Sequence, residues 1–152
     1  MDGHCRDGRC GVSESTIVKV PGEVIENAIA LVENVLDPLR KAYGKPIRVN
    51  SGYRCPAKNK AVVGVALSQH LKGEAADIRP IESGEFRVES LAKIARILVE
   101  QERFDQLIVY PTFLHVSYRR SGQNRGQILR KVNCGYRQMT RKEALDQLIV
   151  NS

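Results

Sequence analysis

Two histidines and one aspartate are the residues in this sequence whose types and order could support metal chemistry. Asp77 follows His70 within a segment rich in small residues, and His115 lies later in the chain. Two imidazoles and one carboxylate are the ligand types and number of a catalytic zinc site that keeps one position open for water. The same spacing is also typical of a hydrogen-bonded His–Asp pair or of unrelated surface residues, so the residues alone leave both interpretations open.

A β-hairpin is predicted around the last of these residues. Two apolar, strand-like runs flank Pro111-Thr112, a pattern typical of antiparallel strands joined by a short turn. A two-residue turn pairs Tyr110 with Phe113 and Ile108 with His115, so alternate residues of the first strand share the face of His115. The residues expected on that face are Tyr110, Ile108 and Gln106.

Helices and short strands make up the rest of the chain. Apolar residues recur at helical spacing after Pro21 and again over 91–99. Gly44 is expected to end the first helix, Pro38 to kink or terminate it, and Thr140 to cap a final helix. Further strands are predicted at 47–49, 75–78 and 127–132. Short strands separated by helices, with an antiparallel hairpin, indicate an α+β domain with a small antiparallel sheet and flanking helices.

Length and composition predict one globular domain. The chain has 152 residues, of which 42% are hydrophobic and 27% charged. Its longest mainly apolar stretch, 24–39, is broken by acidic residues and asparagines, which excludes a bilayer span there. Residues 1–16 are expected to form a flexible polar head and residues 17–152 a single catalytic domain. The head lacks the apolar region of a secretory signal, so the chain is expected to be made in the cytoplasm.

Charge and cysteine usage leave several partners open. The chain carries 24 Lys+Arg against 17 Asp+Glu, a net charge of +7, which favours an anionic partner such as nucleic acid, a cell-wall polymer or a membrane surface. No helix-turn-helix, zinc-finger or aromatic-platform pattern accompanies the basic residues, so nucleic acid is not expected. Cys5 and Cys10 fit a disulfide, a small metal clip with His4, or free thiols.

Three segments together resemble a known family of zinc peptidases. SGYRCPAKNKAV (51–62), SQHLKGEAADI (68–78) and FLHVSY (113–118) are similar, in sequence and in order, to motifs of the D-alanyl-D-alanine carboxypeptidases and L-alanyl-D-glutamate endopeptidases. The resemblance covers roughly residues 20–130. It implies the Hedgehog/DD-peptidase fold, a zinc cofactor and a peptidoglycan stem peptide as substrate.

The resemblance also implies roles for individual residues. The family's zinc ligands fall on His70, Asp77 and His115, its carboxylate-binding arginine on Arg54, and the serine of its Ser-x-His motif on Ser68. Zinc held there would acidify its bound water and polarise the scissile carbonyl. The guanidinium of Arg54 can bind a carboxylate or an oxyanion through two parallel hydrogen bonds. Ser68 fits either a hydrogen-bond donor beside the metal ligands or a helix cap.

The sequence departs from the family at the general base. Many members carry Glu, Asp or His two or three residues before the last zinc ligand, where this chain has Phe113 and Thr112. Tyr110 is therefore the expected candidate for contact with the zinc-bound water or the oxyanion, with hairpin packing as its alternative role. Glu74, in the ligand loop, and Asp105, before the hairpin, are the nearby carboxylates.

The leading hypothesis is a zinc metallopeptidase that cuts peptidoglycan stem peptides, as a carboxypeptidase or an endolysin-like endopeptidase. It is expected to act at the cell wall after release by a phage-type or prophage-type route. The alternative is a catalytically weak or inactive zinc-binding module of the same fold that binds cell-wall fragments or a protein partner. The sequence leaves the bond cleaved and the oligomeric state open.

Overall fold

A computed structural model of the chain describes residues 5–6, 9–10, 21–52, 69–81, 88–120 and 122–150. Near the amino terminus, β1 (Cys5–Arg6) and β2 (Arg9–Cys10) pair antiparallel in a small sheet of their own, with Cys5 opposite Cys10. The division into a head at 1–16 and a domain at 17–152 stays a prediction.

The main sheet has six strands, five of which follow the sequence prediction closely. They are β3 (Ile47–Ser51), β4 (Ala75–Pro80), β5 (Gln106–Val109), β6 (Leu114–Ser117), β7 (Gln127–Val132) and β8 (Gly135–Met139). Their order across the sheet is β3-β4-β6-β5-β7-β8. The β5–β6 hairpin is confirmed, whereas β8 was not predicted. The feature that could have predicted β8 is the short turn at Asn133 and Cys134, after which the chain returns antiparallel to β7.

The sheet is mixed, because β5 and β7 run parallel while the other described pairs of this sheet are antiparallel. β6 ends beside the beginning of β5, where Val116 pairs with Leu107. The chain then crosses to the other side of β5 and enters β7 in the direction of β5, with Gln106 opposite Gln127. The predicted antiparallel sheet is therefore wrong in this pairing, and the α+β class is confirmed.

The first helix continues beyond the proline that was expected to kink or end it. Its parts are α1 (Gly22–Leu31), a π-helical turn (Val32–Leu36) and α2 (Asp37–Tyr43). Pro38 is the second residue of α2 and directly follows the π-helical turn and Asp37. The π-helical turn immediately before it is the local distortion. Gly44 ends the helix as predicted, with φ 77° in the left-handed region.

The helices cover one face of the sheet. α3 (Val88–Gln101) and α4 (Arg141–Val150) complete the described helices, and none of them combines the length and apolarity needed to cross a bilayer. The Thr140 hydroxyl accepts a hydrogen bond from the Glu143 N–H, as expected of a helix cap. The hydrophobic core lies between one face of the central strands and one face of α3. Its members include Ala76, Ile78, Leu107, Leu114, Val116, Leu91, Ile94, Ala95, Leu98 and Val99.

Alternation along the strands decides what lies on the opposite face. Ala76 and Ile78 are buried in the core, so Asp77 between them points to the other side of the sheet. Leu114 and Val116 are likewise buried, which directs His115 to the same side as Asp77. The apolar core therefore sets the orientation of two of the three residues with metal-ligand character.

Candidate metal centre

Asp77 and His115 are neighbours because of the strand register. In the antiparallel pair β4–β6 the two residues lie directly opposite each other, and His115 is in turn opposite Ile108 of β5. The His115 Nδ1 atom lies 3.0 Å from Asp77 Oδ1. The predicted two-residue turn is confirmed by the same register and by a 3.0 Å hydrogen bond from the Tyr110 N–H to the Phe113 carbonyl.

His70 reaches this pair from a separate element, a 3₁₀ turn at Gln69–Lys72 that the sequence did not predict. The residue is 1% exposed. Nδ1 lies 2.7 Å from the Gly52 carbonyl oxygen, which can only accept, so Nδ1 carries a proton, and it is Nε2 that offers a lone pair to a metal whenever the ring is neutral. Nε2 lies 3.2 Å from Asp77 Oδ1 and 3.2 Å from His115 Nδ1.

The far end of the 3₁₀ turn is held against the first helix. The buried Asn27 donates a 2.9 Å hydrogen bond from its side-chain amide to the Lys72 carbonyl. Gly73 follows with φ 74°, and a Cβ placed on it would lie 2.6 Å from the Val24 carbonyl oxygen. Only glycine meets both demands, a left-handed backbone and an approach this close. The helix therefore supports the element that carries His70.

The electrostatics of the cluster favour a charged carboxylate. Burial by itself raises the pKa of Asp77. Hydrogen bonds with His115 and His70 lower it, as does the charge that those rings carry when protonated. The lowering effects are the larger, so the pKa lies well below the usual range of an aspartate. The carboxylate thus remains ionised, and its charge favours a cation among the three donor atoms.

The donor set fits zinc in type and in spacing. One atom each from His70, Asp77 and His115 lies within 4.8 Å of the other two, a group that could hold a metal ion. Their separations are 3.0, 3.2 and 3.2 Å. Ligands about 2.0–2.2 Å from a tetrahedral zinc ion stand roughly 3.3–3.6 Å apart. The separations fall a few tenths of an ångström short, so small side-chain adjustments suffice for an ion to bind.

The structure describes only part of the rest of the predicted site. Arg54 and Ser68 lie outside the described residues. The Tyr110 ring stacks on Phe113, with ring centroids 4.3 Å apart, and its hydroxyl lies 3.0 Å from the hydroxyl of Tyr136. Hairpin packing is thus one role of Tyr110, and its catalytic role stays a prediction.

The two nearby carboxylates have other surroundings. Burial raises the pKa of Glu74, against the opposing charges of Lys72 and Arg119. Asp105 is fully buried, and Arg125 donates three hydrogen bonds to its carboxylate. Burial raises the pKa of this carboxyl but the hydrogen bonds from Arg125 lower it more, so it is a weak proton acceptor. Sequence reasoning named Asp105 but missed its partners, because they follow from tertiary contacts.

Comparison with known proteins agrees with the geometry. The sequence profile of one protein family, described as Peptidase M15, matches residues 4–117, well over half of the chain. The chain belongs to the M15 peptidase family. The resemblance drawn from the three motifs is thereby confirmed, and the M15 match includes His70, Asp77 and His115. M15 peptidases are metallopeptidases, usually with zinc, which agrees with the cluster. A search of curated proteins found no match.

Proposed function

We propose that this M15 peptidase is a zinc-dependent enzyme that hydrolyses peptide bonds in peptidoglycan stem peptides, on the Hedgehog/DD-peptidase fold. The observation that carries the proposal is the convergence of His70 Nε2, Asp77 Oδ1 and His115 Nδ1 from three separate elements. The net charge of +7 supports a substrate within an anionic cell-wall polymer. Action at the wall after release by a phage-type route belongs to the same proposal.

In this proposal His70, Asp77 and His115 hold the zinc ion. Zinc in such a site supplies Lewis acidity at the scissile carbonyl and lowers the pKa of a water molecule. The Gly52 carbonyl keeps the His70 proton on Nδ1, so that Nε2 is the ligating atom. Ile108, 8% exposed and paired with His115, excludes water from one side of that ligand.

Substrate binding and proton transfer are assigned to other residues. Arg54 binds a peptide carboxylate or the oxyanion, and Ser68 donates a hydrogen bond beside His70. Tyr110, which strand alternation places on the same face of the sheet as His115, offers its phenol to the oxyanion. Because Thr112 and Phe113 stand where many relatives carry the general base, we expect slow turnover.

A binding module without turnover is the second candidate. The observation in its favour is that Thr112 and Phe113 stand where many relatives carry the general base, while the hydroxyl of Tyr110 lies next to that of Tyr136. In that case the zinc site binds cell-wall fragments or a protein partner.

Zinc content and hydrolysis, measured together, test the proposal. Purified protein is analysed for bound zinc and incubated with synthetic stem peptides, and the products are identified by mass spectrometry. We expect about one zinc per chain and cleavage that His115→Ala abolishes. His4→Ala is the matched control, since His4 is the one histidine outside the cluster, and it should retain cleavage.

The other outcomes separate the two candidates. Bound zinc without cleavage of any stem peptide contradicts the enzyme and favours the binding module. Wild-type protein that takes up no zinc refutes both.

A further inference from the structure

Asp105 lies at the junction of three strands. Its N–H donates a 2.8 Å hydrogen bond to the carbonyl of Ser117 at the end of β6, and its carbonyl accepts a 3.0 Å bond from the Gln127 N–H at the start of β7. The residue immediately precedes β5. Its backbone is therefore fixed on both sides by the sheet.

The carboxylate of Asp105 is equally well held. Arg125 donates to Oδ1 from its backbone N–H at 3.0 Å and from Nε at 3.1 Å, and to Oδ2 from a terminal nitrogen at 2.8 Å. Arg119 adds an ion pair at 3.4 Å from Oδ2. With 0% exposure and charged hydrogen-bond partners, this carboxylate is a rigid acceptor.

Gln69 is a further partner of this carboxylate. Its side-chain amide donates a 3.2 Å hydrogen bond to Asp105 Oδ2. Gln69 is the first residue of the 3₁₀ turn, directly before His70, and its carbonyl accepts a 3.0 Å bond from the Glu74 N–H. The turn that carries His70 is thus tied to the sheet at its beginning, in addition to its attachment to the first helix at its end.

We propose that Asp105 is a positioning residue for the metal centre, acting through Gln69 to hold His70 in register with Asp77 and His115. The inference rests on the proposed function, since it assumes that the three residues bind zinc. The strand register already fixes Asp77 and His115 relative to each other. His70 is the ligand that comes from outside the sheet, so its place depends on the tethers of its turn.

The hydrogen bond from Gln69 to Asp105 is important because a metal site tolerates only small changes in metal–ligand distance. Metal–ligand distances hold to within about 0.2 Å of their ideal values. A displacement of the 3₁₀ turn of less than an ångström would take Nε2 out of reach of an ion shared with the two sheet residues. Outer partners that orient metal ligands are typically worth about 10–100-fold in metal affinity, and we expect Gln69 to fall in that range.

The substitution Gln69→Met tests the inference, because methionine keeps the length of the side chain and removes its donor. Zinc affinity is measured by competition with a chromophoric chelator, and the visible spectrum of the Co²⁺-loaded protein reports the ligand geometry. Gln147→Met is the matched control. It removes a comparable hydrogen bond, from Arg130 at 2.9 Å, that involves α4 and β7 and no donor of the metal centre.

We expect Gln69→Met to lower zinc affinity about 10–100-fold and to alter the Co²⁺ spectrum, while Gln147→Met changes neither. Thermal unfolding of both metal-free variants shows whether a loss of stability accompanies these effects. Wild-type zinc affinity and an unchanged Co²⁺ spectrum in Gln69→Met overturn the inference and leave the proposed function intact. Wild-type protein that binds neither metal refutes the proposed function and the inference with it.

Discussion

Gly73→Ala is the substitution that best tests how the first helix supports His70. Gly73 has φ 74°, and a Cβ there would lie 2.6 Å from the Val24 carbonyl oxygen and 2.9 Å from its Cγ1. Alanine in the left-handed region costs about 1–2 kcal/mol. Forcing a methyl group against backbone adds about 1–3 kcal/mol, since the carbonyl cannot rotate away. The variant should therefore lose about 2–5 kcal/mol of unfolding free energy, the sum of these two terms.

Gly44→Ala isolates the steric part of that loss. Gly44 has nearly the same φ, 77°, and nothing lies within 4 Å of a Cβ placed on it. It should lose only about 1–2 kcal/mol. At roughly 2–4 °C per kcal/mol for a domain of this size, the melting temperature of Gly73→Ala should be about 2–12 °C below that of Gly44→Ala.

Calorimetry and zinc titration of the two variants provide the assay. Zinc affinity should fall in Gly73→Ala and stay at the wild-type value in Gly44→Ala, because only Gly73 adjoins the turn that carries His70. Equal melting temperatures in the two variants would refute the close approach to Val24. Unchanged zinc affinity in Gly73→Ala would refute the idea that this contact positions the ligand.

Three other predictions concern the Asp105 carboxylate, the hydrogen bond from Asn27 to Lys72, and bound zinc. Burial raises the pKa of Asp105 but the hydrogen bonds from Arg125 lower it more, so its carboxylate stabilises the fold above about pH 4, and this contribution disappears as pH falls through the lower folded-state pKa. Asp105→Asn should therefore be about 1–3 kcal/mol less stable than the wild type at pH 7. Acid titration followed by circular dichroism should show this difference in stability narrowing as the pH falls. Asn27→Leu leaves the Lys72 carbonyl without its donor and Arg120 Nε without its acceptor, and it should cost about 1–3 kcal/mol in urea unfolding. The cost should exceed that of Asn34→Leu, whose side-chain amide donates to Ala30 within its own helix. Free zinc at 100 times its dissociation constant should stabilise the wild type by about 2.7 kcal/mol, an effect that a chelator reverses; a chelator that leaves the melting temperature unchanged would contradict the metal site.

Local pattern was enough to predict the elements that orient two of the donors. Strand alternation has a period of two, so a short turn at Pro111-Thr112 implied that Ile108 faces His115, and the register agrees. The apolar spacing of the helices was equally informative, because one buried face suffices to define it. The types of His70, Asp77 and His115 suggested metal, and the family motifs made zinc the specific expectation.

Tertiary contacts account for what the sequence did not reveal. The residues between β6 and β7 do not determine which strand β7 will pair with. The parallel pairing of β7 with β5 therefore had no local signal in the sequence. The 3₁₀ turn at Gln69–Lys72 is too short for helical periodicity to register. The bond from Gln69 to Asp105 joins residues far apart in sequence, and nothing near either residue predicts the other.

The π-helical turn at Val32–Leu36 determines which lengths of the first helix the fold can accept. Leu31, Val35, Leu39 and Tyr43 follow one another at intervals of four and are all buried. In an α-helix of 3.6 residues per turn, such a repeat rotates about 40° around the axis at each step. A turn with wider, i to i+5 hydrogen bonding absorbs part of that rotation and keeps the four side chains in one line. Deleting a single residue there would give a regular α-helix in which Leu39 and Tyr43 follow Leu31 by seven and eleven positions, each about 20° from its direction, so the segment can lose one residue at the π-helical turn and keep these side chains facing the core.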